Sequence, residues 1–143
     1  LLSYHPATNS SEKAESTITN MLSIVTEFPE FKLLITLANA DNGGRSINAV
    51  IRKFEKKYPT QIKAISSLGS QKYLTALKFA SCIIGNSSSG IIEAPSLKTL
   101  TVNIGERQKG RDAATSVLHC GSKKAEIYSA IRETLLRKAM IIP

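Results

Sequence analysis

Short apolar runs alternate with amphipathic stretches along the whole chain. The apolar runs predict β-strands at residues 1–4, 31–37, 62–66, 82–85, 100–104 and 117–120. The amphipathic stretches predict helices at residues 10–27, 46–58, 70–80, 90–95 and 123–138. Strands separated by helices imply right-handed crossovers, so we predict one α/β domain with a parallel sheet.

Apolar side chains at helical spacing predict which helix faces pack on this sheet. The first three helices would bury Ile18, Met21, Leu22 and Val25, then Ile47, Val50, Ile51 and Phe54, and then Tyr73, Leu74, Leu77 and Ala80. The strands are almost continuously apolar, which is typical of a sheet covered by helices on both faces. Ligands of such sheets bind at the carboxyl ends of the strands, where loops gather.

The loop after the fourth strand has the composition of a phosphate-binding turn. Residues 85–90 read Gly-Asn-Ser-Ser-Ser-Gly and open a short helix. Free N–H groups at a helix start favour an anion, and the small residues Ser87, Ser88, Ser89 and Gly90 let it come close. The loop matches neither the dinucleotide G-x-G-x-x-G fingerprint nor the P-loop, and glycine and serine also occur in ordinary strand-to-helix turns.

Three charged residues lie downstream of this loop. Glu93 follows about one helical turn later, where its carboxylate could accept both hydroxyls of a ribose or face solvent. Arg107 and Arg111 are flanked by Gly105 and Gly110, which favours a tight loop presenting guanidinium groups to an anion over a pair of surface charges. These residues extend the predicted phosphate site toward a ribose.

Two other strand ends carry polar candidates. His5 precedes Pro6, so its backbone is held extended at the ligand edge, where acid–base or phosphate contact competes with a structural role. The loop after the second strand contains Asn39 and Asp41, candidates for a polar contact or a helix cap. His119 lies inside an apolar strand and is interpreted as structural.

Composition argues against several function classes. The chain has 143 residues, 42% of them hydrophobic, and lacks an apolar run long enough to span a membrane. Its net charge of +8 comes largely from dispersed lysines without interleaved aromatic residues, which favours solvated helix faces over a nucleic-acid surface. Cys82 and Cys120 are interpreted as buried reduced thiols, and the chain shows no metal-ligand spacing.

These motifs resemble the C-terminal half of the hydrolysing UDP-N-acetylglucosamine 2-epimerases of bacterial sialic-acid and legionaminic-acid pathways. The resemblance covers nearly the whole chain and rests on residues 4–8, 39–44, 85–95 and 103–111. The non-hydrolysing 2-epimerases have different sequences at the positions of residues 4–8 and 85–95. The resemblance implies a Rossmann-like parallel sheet with helices on both faces, forming one half of a glycosyltransferase-B type two-domain enzyme.

The resemblance also implies a reaction and a role for each candidate. A base removes the C2 proton as UDP leaves, and water then adds to give N-acetylmannosamine; His5 would be catalytic and assist the departure of UDP. The UDP site would comprise Ser87, Ser88, Ser89, Gly90 and Arg107 at the diphosphate, Glu93 at the ribose, and the Ser67–Leu68 loop with Tyr73 near uracil, with Asn39, Asp41 and Arg111 as further candidates.

The implied partner is a UDP-sugar, with no nucleic acid, membrane, metal or cofactor. Full-length relatives would be cytoplasmic homodimers or larger assemblies whose catalytic carboxylates lie in the N-terminal half. We therefore expect this chain to be a piece of a longer protein that binds UDP weakly without turnover. A related UDP-2,4-diacetamido sugar as substrate, and group transfer by a glycosyltransferase-B half, stay open as alternatives.

Overall fold

The computed structural model describes residues 1–4, 11–38, 44–66, 68–105 and 116–141. Within these ranges one parallel sheet is formed by β1 (Leu2–Ser3), β2 (Leu33–Thr36), β3 (Ile62–Ile65), β4 (Cys82–Gly85), β5 (Leu100–Ile104) and β6 (Val117–Cys120). The strands lie in the order β3-β2-β1-β4-β5-β6, and all neighbours are parallel. This is the Rossmann order, so the predicted fold class is confirmed.

Helices cover both faces of the sheet. They are α1 (Ser11–Val25), α2 (Gly44–Lys57), α3 (Ser70–Phe79), α4 (Ser88–Ile92) and α5 (Lys124–Ile141). On one face, α1, α2 and α5 share a large apolar core with alternate strand residues. On the other face, α3, β4 and the turn after α4 meet in a smaller cluster of Leu77, Ile83 and Ala94.

The inner face of α1 shows why helical spacing predicts the larger core well. Ile18, Met21, Leu22 and Val25 are all fully buried, with 0% exposure. Burying one such side chain contributes about 1.5–3 kcal/mol relative to leaving it in water, which fixes the rotation of the helix on the sheet. The same spacing buries Ile47 and Ile51 of α2.

Two predictions about the smaller face are wrong. Leu74 was expected on the inner side of α3 but is 40% exposed, because Leu77 makes the buried contact and Leu74 lies at the rim. The strands are also less uniformly buried than expected: β4 and β5 are buried throughout, whereas β2 and β3 alternate with partly or fully exposed residues such as Lys63. The reason is that α3 and α4 cover only part of this face.

Side chains of α2 occupy backbone groups on the free edge of the sheet at β3. The Ala64 N–H donates to the Glu55 carboxylate at 2.8 Å, and Arg52 Nη1 donates to the Ala64 carbonyl oxygen at 3.3 Å and to Glu55 at 2.9 Å. The Ala64 N–H, followed by Arg52, holds the pKa of the Glu55 carboxyl below its usual value. An edge strand with satisfied backbone groups is a poor template for pairing with another chain.

The seam between β1 and β4 requires glycine at residue 85. Gly85 has φ +142°, and a Cβ added to it would collide with the carbonyl oxygen of Ser3, its register partner on β1. Both the backbone conformation and the missing side chain are therefore needed to bring the two strands together.

Glu55→Gln should reduce the free energy of unfolding at pH 7 by about 0.5–1 kcal/mol, because the amide accepts more weakly than the partly solvated carboxylate. The folded-state pKa of Glu55 is depressed, so this stabilisation is present above the unfolded-state pKa and is lost as the pH falls through the folded one. Urea denaturation should show a larger difference at pH 7 than at pH 3. Glu133→Gln, which removes the pairing of Glu133 with Arg137 on α5, is the control, and an equal loss at both pH values for Glu55→Gln would contradict the assignment.

Gly85→Ala should lower the free energy of unfolding by more than about 4 kcal/mol, because strain and collision add. Gly105→Ala is the matched control: Gly105 has φ +83°, but no atom of the described residues lies within 4 Å of an added Cβ, so the loss should be only the backbone strain of about 1–2 kcal/mol. Chemical denaturation of both variants measures the difference. Similar losses would show that the seam can relax.

Candidate functional site

The topological switch point of the sheet lies between β1 and β4. The chain runs outward through β2 and β3 on one side of β1, and through β5 and β6 on the other side of β4. The connections after these two strands lead to α1 and α4, which lie on opposite faces. A crevice opens at such a point at the carboxyl ends of the strands, and ligands of Rossmann-like folds bind there.

The serine-rich turn lies at this switch point. The Asn86 N–H donates to the Ser3 carbonyl oxygen at 3.2 Å, which ties the exit of β4 to the exit of β1. The Ser87 carbonyl oxygen accepts a bond from the Gly90 N–H at 3.1 Å, and α4 begins at Ser88. The backbones of Ser88 and Ser89 therefore form the first turn of α4, where N–H groups lack intrahelical partners.

Asn86 is a site residue that the sequence reasoning did not select. Its side chain is only 2% exposed, although asparagine is usually a surface residue. The signal was available, since a polar residue directly after a fully apolar strand and before the serines has to lie at the strand exit. Because Asn86 is buried beside Ser3, it lines the crevice at the switch point.

Gly90 allows α4 to lie against the sheet. A Cβ at this position would be 2.8 Å from Thr101 Cγ2, and the Thr101 hydroxyl donates to the Gly90 carbonyl oxygen at 2.8 Å. Both backbone groups of Gly90 are thus bonded within the chain. We expect Gly90 to serve the site through close packing of α4 on β5.

Glu93 follows α4 in a turn whose next residue, Ala94, is fully buried. The Glu93 side chain is itself half-buried, and no residue that the structure describes bonds to its carboxylate. Ala94 and Thr99 close this turn, because the Thr99 N–H donates to the Ala94 carbonyl oxygen at 2.9 Å. The carboxylate is therefore carried by a fixed segment close to the start of α4.

Leu68 lies just before α3, and Tyr73 within α3 packs near the Glu93 turn. Leu68 is half-buried and precedes Gly69, whose φ of +73° turns the chain into α3. Tyr73 packs on the cluster of Leu77, Ile83 and Ala94, and so contacts the apolar base beneath the Glu93 turn. The structure thus brings α3 and the segment after α4 together on one face.

Several predicted site residues fall outside the described residues, so their roles stay predictions: His5, Asn39, Asp41, Ser67, Arg107 and Arg111. Tyr4, which precedes His5, is described and is 6% exposed. Burial raises the pKa of Tyr4, and a hydrogen bond with Thr17 of α1 opposes that shift. The chain is thus anchored at the residue that leads to His5.

The thiols and the second histidine do not join the site. Cys82 is buried and free, and Cys120 is free and half-buried. Burial, assisted by the nearby Glu126 charge, raises the pKa of Cys120 to about 11, so it is a thiol at neutral pH. His119 lies in β6 as expected, but its side chain is exposed and pairs through Nδ1 with Asn103 Nδ2 at 3.0 Å.

An open groove of about 520 Å³ lies elsewhere, at the carboxyl end of α1. Because α1 runs antiparallel to the strands, this groove is at the amino edge of the sheet, opposite the serine turn. It is lined by Glu27, Phe28, Glu30, Tyr128, Arg132 and Leu135. Among the described residues no cluster of three His, Cys, Asp or Glu side chains could hold a metal ion, and no helix there is long and apolar enough to cross a membrane.

Known proteins share both the sequence and the fold of this chain. The GDP/UDP-N,N'-diacetylbacillosamine 2-epimerase (hydrolyzing) of Campylobacter jejuni is 42% identical over 111 residues, which cover 78% of this chain and 29% of that protein. The polysialic acid biosynthesis protein P7 of Escherichia coli is 38% identical over 129 residues, 90% of this chain and 32% of that protein. The chain therefore spans about a third of the length of these relatives.

Among solved structures, S. aureus MnaA in a co-structure with UDP matches with a TM-score of 0.74 over 96% of this chain and 37% of that chain. Its sequence identity of 19% means that this match supports the fold alone. At the sequence level, residues 1–141 match the family described as UDP-N-acetylglucosamine 2-epimerase. With the Rossmann strand order and the serine turn at its switch point, this match shows that the chain belongs to the UDP-N-acetylglucosamine 2-epimerase family.

Proposed function

We propose that this domain binds the UDP part of a UDP-2-acetamido sugar in a hydrolysing 2-epimerase. The observation that carries the proposal is the position of Ser87–Ser89 at the β1–β4 switch point of a chain from this family. Small residues at the start of α4 leave room for a diphosphate, and the Glu93 carboxylate, free among the described residues, is suited to ribose hydroxyls.

The proposed reaction explains why the diphosphate site matters for rate. A base removes the proton from C2, the C1–O bond breaks, and its electron pair leaves with UDP, which creates the C1=C2 double bond of a 2-acetamidoglucal. Negative charge grows on the diphosphate as that bond breaks. Donors already oriented toward it stabilise the transition state more than the ground state. Addition of water, with the hydroxyl at C1 and the proton at C2, then gives N-acetylmannosamine.

The residues outside the described ranges complete this proposal. His5 follows the anchored Tyr4 directly, and we assign it to the departing sugar–phosphate oxygen as a general acid. Arg107 would neutralise the diphosphate by two parallel hydrogen bonds. The carboxylates that act on C2 would lie in the other half of the full-length enzyme, which this chain does not contain.

A second candidate substrate has a specific observation in its favour. The relative from C. jejuni is named for N,N'-diacetylbacillosamine, a 2,4-diacetamido sugar, and is 42% identical to this chain. Both substrates would present the same UDP to this domain and differ only in the sugar. Incubating the full-length enzyme with each sugar nucleotide and comparing kcat/KM distinguishes the two.

The chain should bind UDP, and Glu93→Gln should weaken that binding about 10–100-fold, because the charged acceptor of two ribose hydroxyls is lost. Isothermal titration calorimetry measures both affinities. Glu133→Gln, which neutralises an exposed carboxylate on α5, should leave the affinity unchanged. Equal effects of the two substitutions would remove Glu93 from the site, and no UDP binding by the unsubstituted chain would contradict the proposed function.

The chain alone should not convert UDP-N-acetylglucosamine, because the groups proposed to remove the C2 proton are not part of it. Release of UDP and of N-acetylmannosamine, followed by chromatography, should stay at the level of the uncatalysed reaction. The full-length enzyme under the same conditions is the positive control. Product formation by this chain alone would show that these 143 residues hold a complete catalytic set.

A further inference from the structure

A row of buried polar side chains begins at the residue before β5 and continues along one face of that strand. Thr99, Thr101 and Asn103 occur at alternate positions, and each is at most 3% exposed. The residues between them, Leu100 and Val102, belong to the large core on the opposite face. Central parallel strands are usually apolar on both faces. Because buried polar groups are costly without hydrogen bonds, each side chain of this row needs a hydrogen-bond partner.

Each member of this row bonds to a different element of the fold. Thr99 Oγ1 donates to the Leu77 carbonyl oxygen of α3 at 2.7 Å, and Thr101 Oγ1 donates to the Gly90 carbonyl oxygen of α4 at 2.8 Å. The third member, Asn103, pairs with His119 of β6. The two threonine hydroxyls thus reach carbonyl oxygens near the ends of two helices, where intrahelical partners are lacking.

The Thr101 bond matters most because α4 has little stability of its own. This helix has only five residues, far fewer than an isolated helix needs in water. Its contact with the sheet includes Thr101 twice, through the hydroxyl bond to Gly90 and through Cγ2 beneath the Gly90 backbone. Both interactions are buried, so water cannot replace the hydroxyl if it is removed.

We propose that Thr101 is a positioning residue for nucleotide binding: it fixes α4 on β5, and thereby the backbone of Ser88 and Ser89 at the switch point. The inference rests on the proposed function, since it assumes that the diphosphate binds at the start of α4. It adds a residue that contacts no ligand and lies one strand away from the turn. Its effect on binding should fall on the diphosphate and spare the uracil and ribose.

Thr99 supplies a matched control. It directly precedes β5, two residues before Thr101, is equally buried, and makes the same kind of bond, but to α3. Thr101→Val and Thr99→Val each remove one buried hydroxyl and leave one carbonyl oxygen unpaired. Both should destabilise the domain, whereas only Thr101→Val should release α4.

The experiment compares UDP with uridine as probes, using NMR titration of the 143-residue chain and its variants. Partial unfolding lowers the apparent affinity for both probes by the same factor, so the ratio of the two affinities reports on the diphosphate site alone. Thr101→Val should reduce this ratio about tenfold, which corresponds to one lost interaction of ordinary strength. Thr99→Val should leave it within about twofold of the unsubstituted chain.

Thr101→Ser keeps the hydroxyl and should restore most of the ratio, even if Thr101→Val folds poorly. Hydrogen exchange of the Ile91 and Ile92 amides should accelerate in Thr101→Val while the amides of β4 stay protected. If Thr101→Val keeps the preference for UDP, or if both valine variants lose it equally, the inference is overturned and the proposed function stands. If the unsubstituted chain does not prefer UDP to uridine, the proposed function fails and the inference fails with it.

Discussion

The close approach of β1 and β4 is the constraint on which the rest of the structure depends. Gly85 has no side chain and a positive φ, so its backbone can pack against the Ser3 carbonyl group. The next peptide continues the contact, because the Asn86 N–H donates to Ser3. These two residues join the two halves of the sheet and place the exits of both strands side by side. Among the candidates that the structure describes, the serine turn lies directly at that junction.

The site then depends on how a very short helix is held. The Ser87 carbonyl oxygen accepts a bond from the Gly90 N–H at the start of α4, Gly90 lets the helix lie near the sheet, and Thr101 bonds to it from β5. The turn after α4 returns to the apolar cluster that also receives α3, through the buried Ala94. The proposed diphosphate and ribose positions are therefore supported from two directions, by a polar row beneath α4 and an apolar cluster beneath Glu93. A preorganised anion site needs such support, because loosely held donors stabilise a developing charge poorly.

The strand and helix pattern was largely predictable from sequence because burial on this fold is regular. The bounds predicted for β4, β5 and β6 agree with the structure, and the inner face of α1 is buried as expected. Local spacing failed where coverage of the sheet is incomplete. Leu74 lies at the rim of the smaller cluster, and Lys63 occupies an exposed position of β3. The spacing of apolar residues within one segment does not show how much of the sheet the neighbouring helices cover.

The candidate site was predictable only in part. Its location followed from the serine turn and the parallel sheet, and the family resemblance supplied expected roles that stay predictions. Asn86 and Thr101 were missed for a physical reason: each acts through backbone groups of a distant segment, Ser3 and Gly90, and such partners are known only once the strands are paired. Sequence patterns indicate which residues contact a ligand more readily than which residues hold them in place.

The covered edge at β3 has a consequence for how the molecule behaves in a crowded solution. A parallel sheet that ends in free N–H and C=O groups invites other chains to extend it, and long-lived oligomers or fibres can follow. Here a carboxylate and a guanidinium from the chain's own helix occupy the groups of Ala64. Acidification neutralises that carboxylate and weakens its bond with the Ala64 amide, so the edge at β3 loses part of its cover as the pH falls through the folded-state pKa of Glu55.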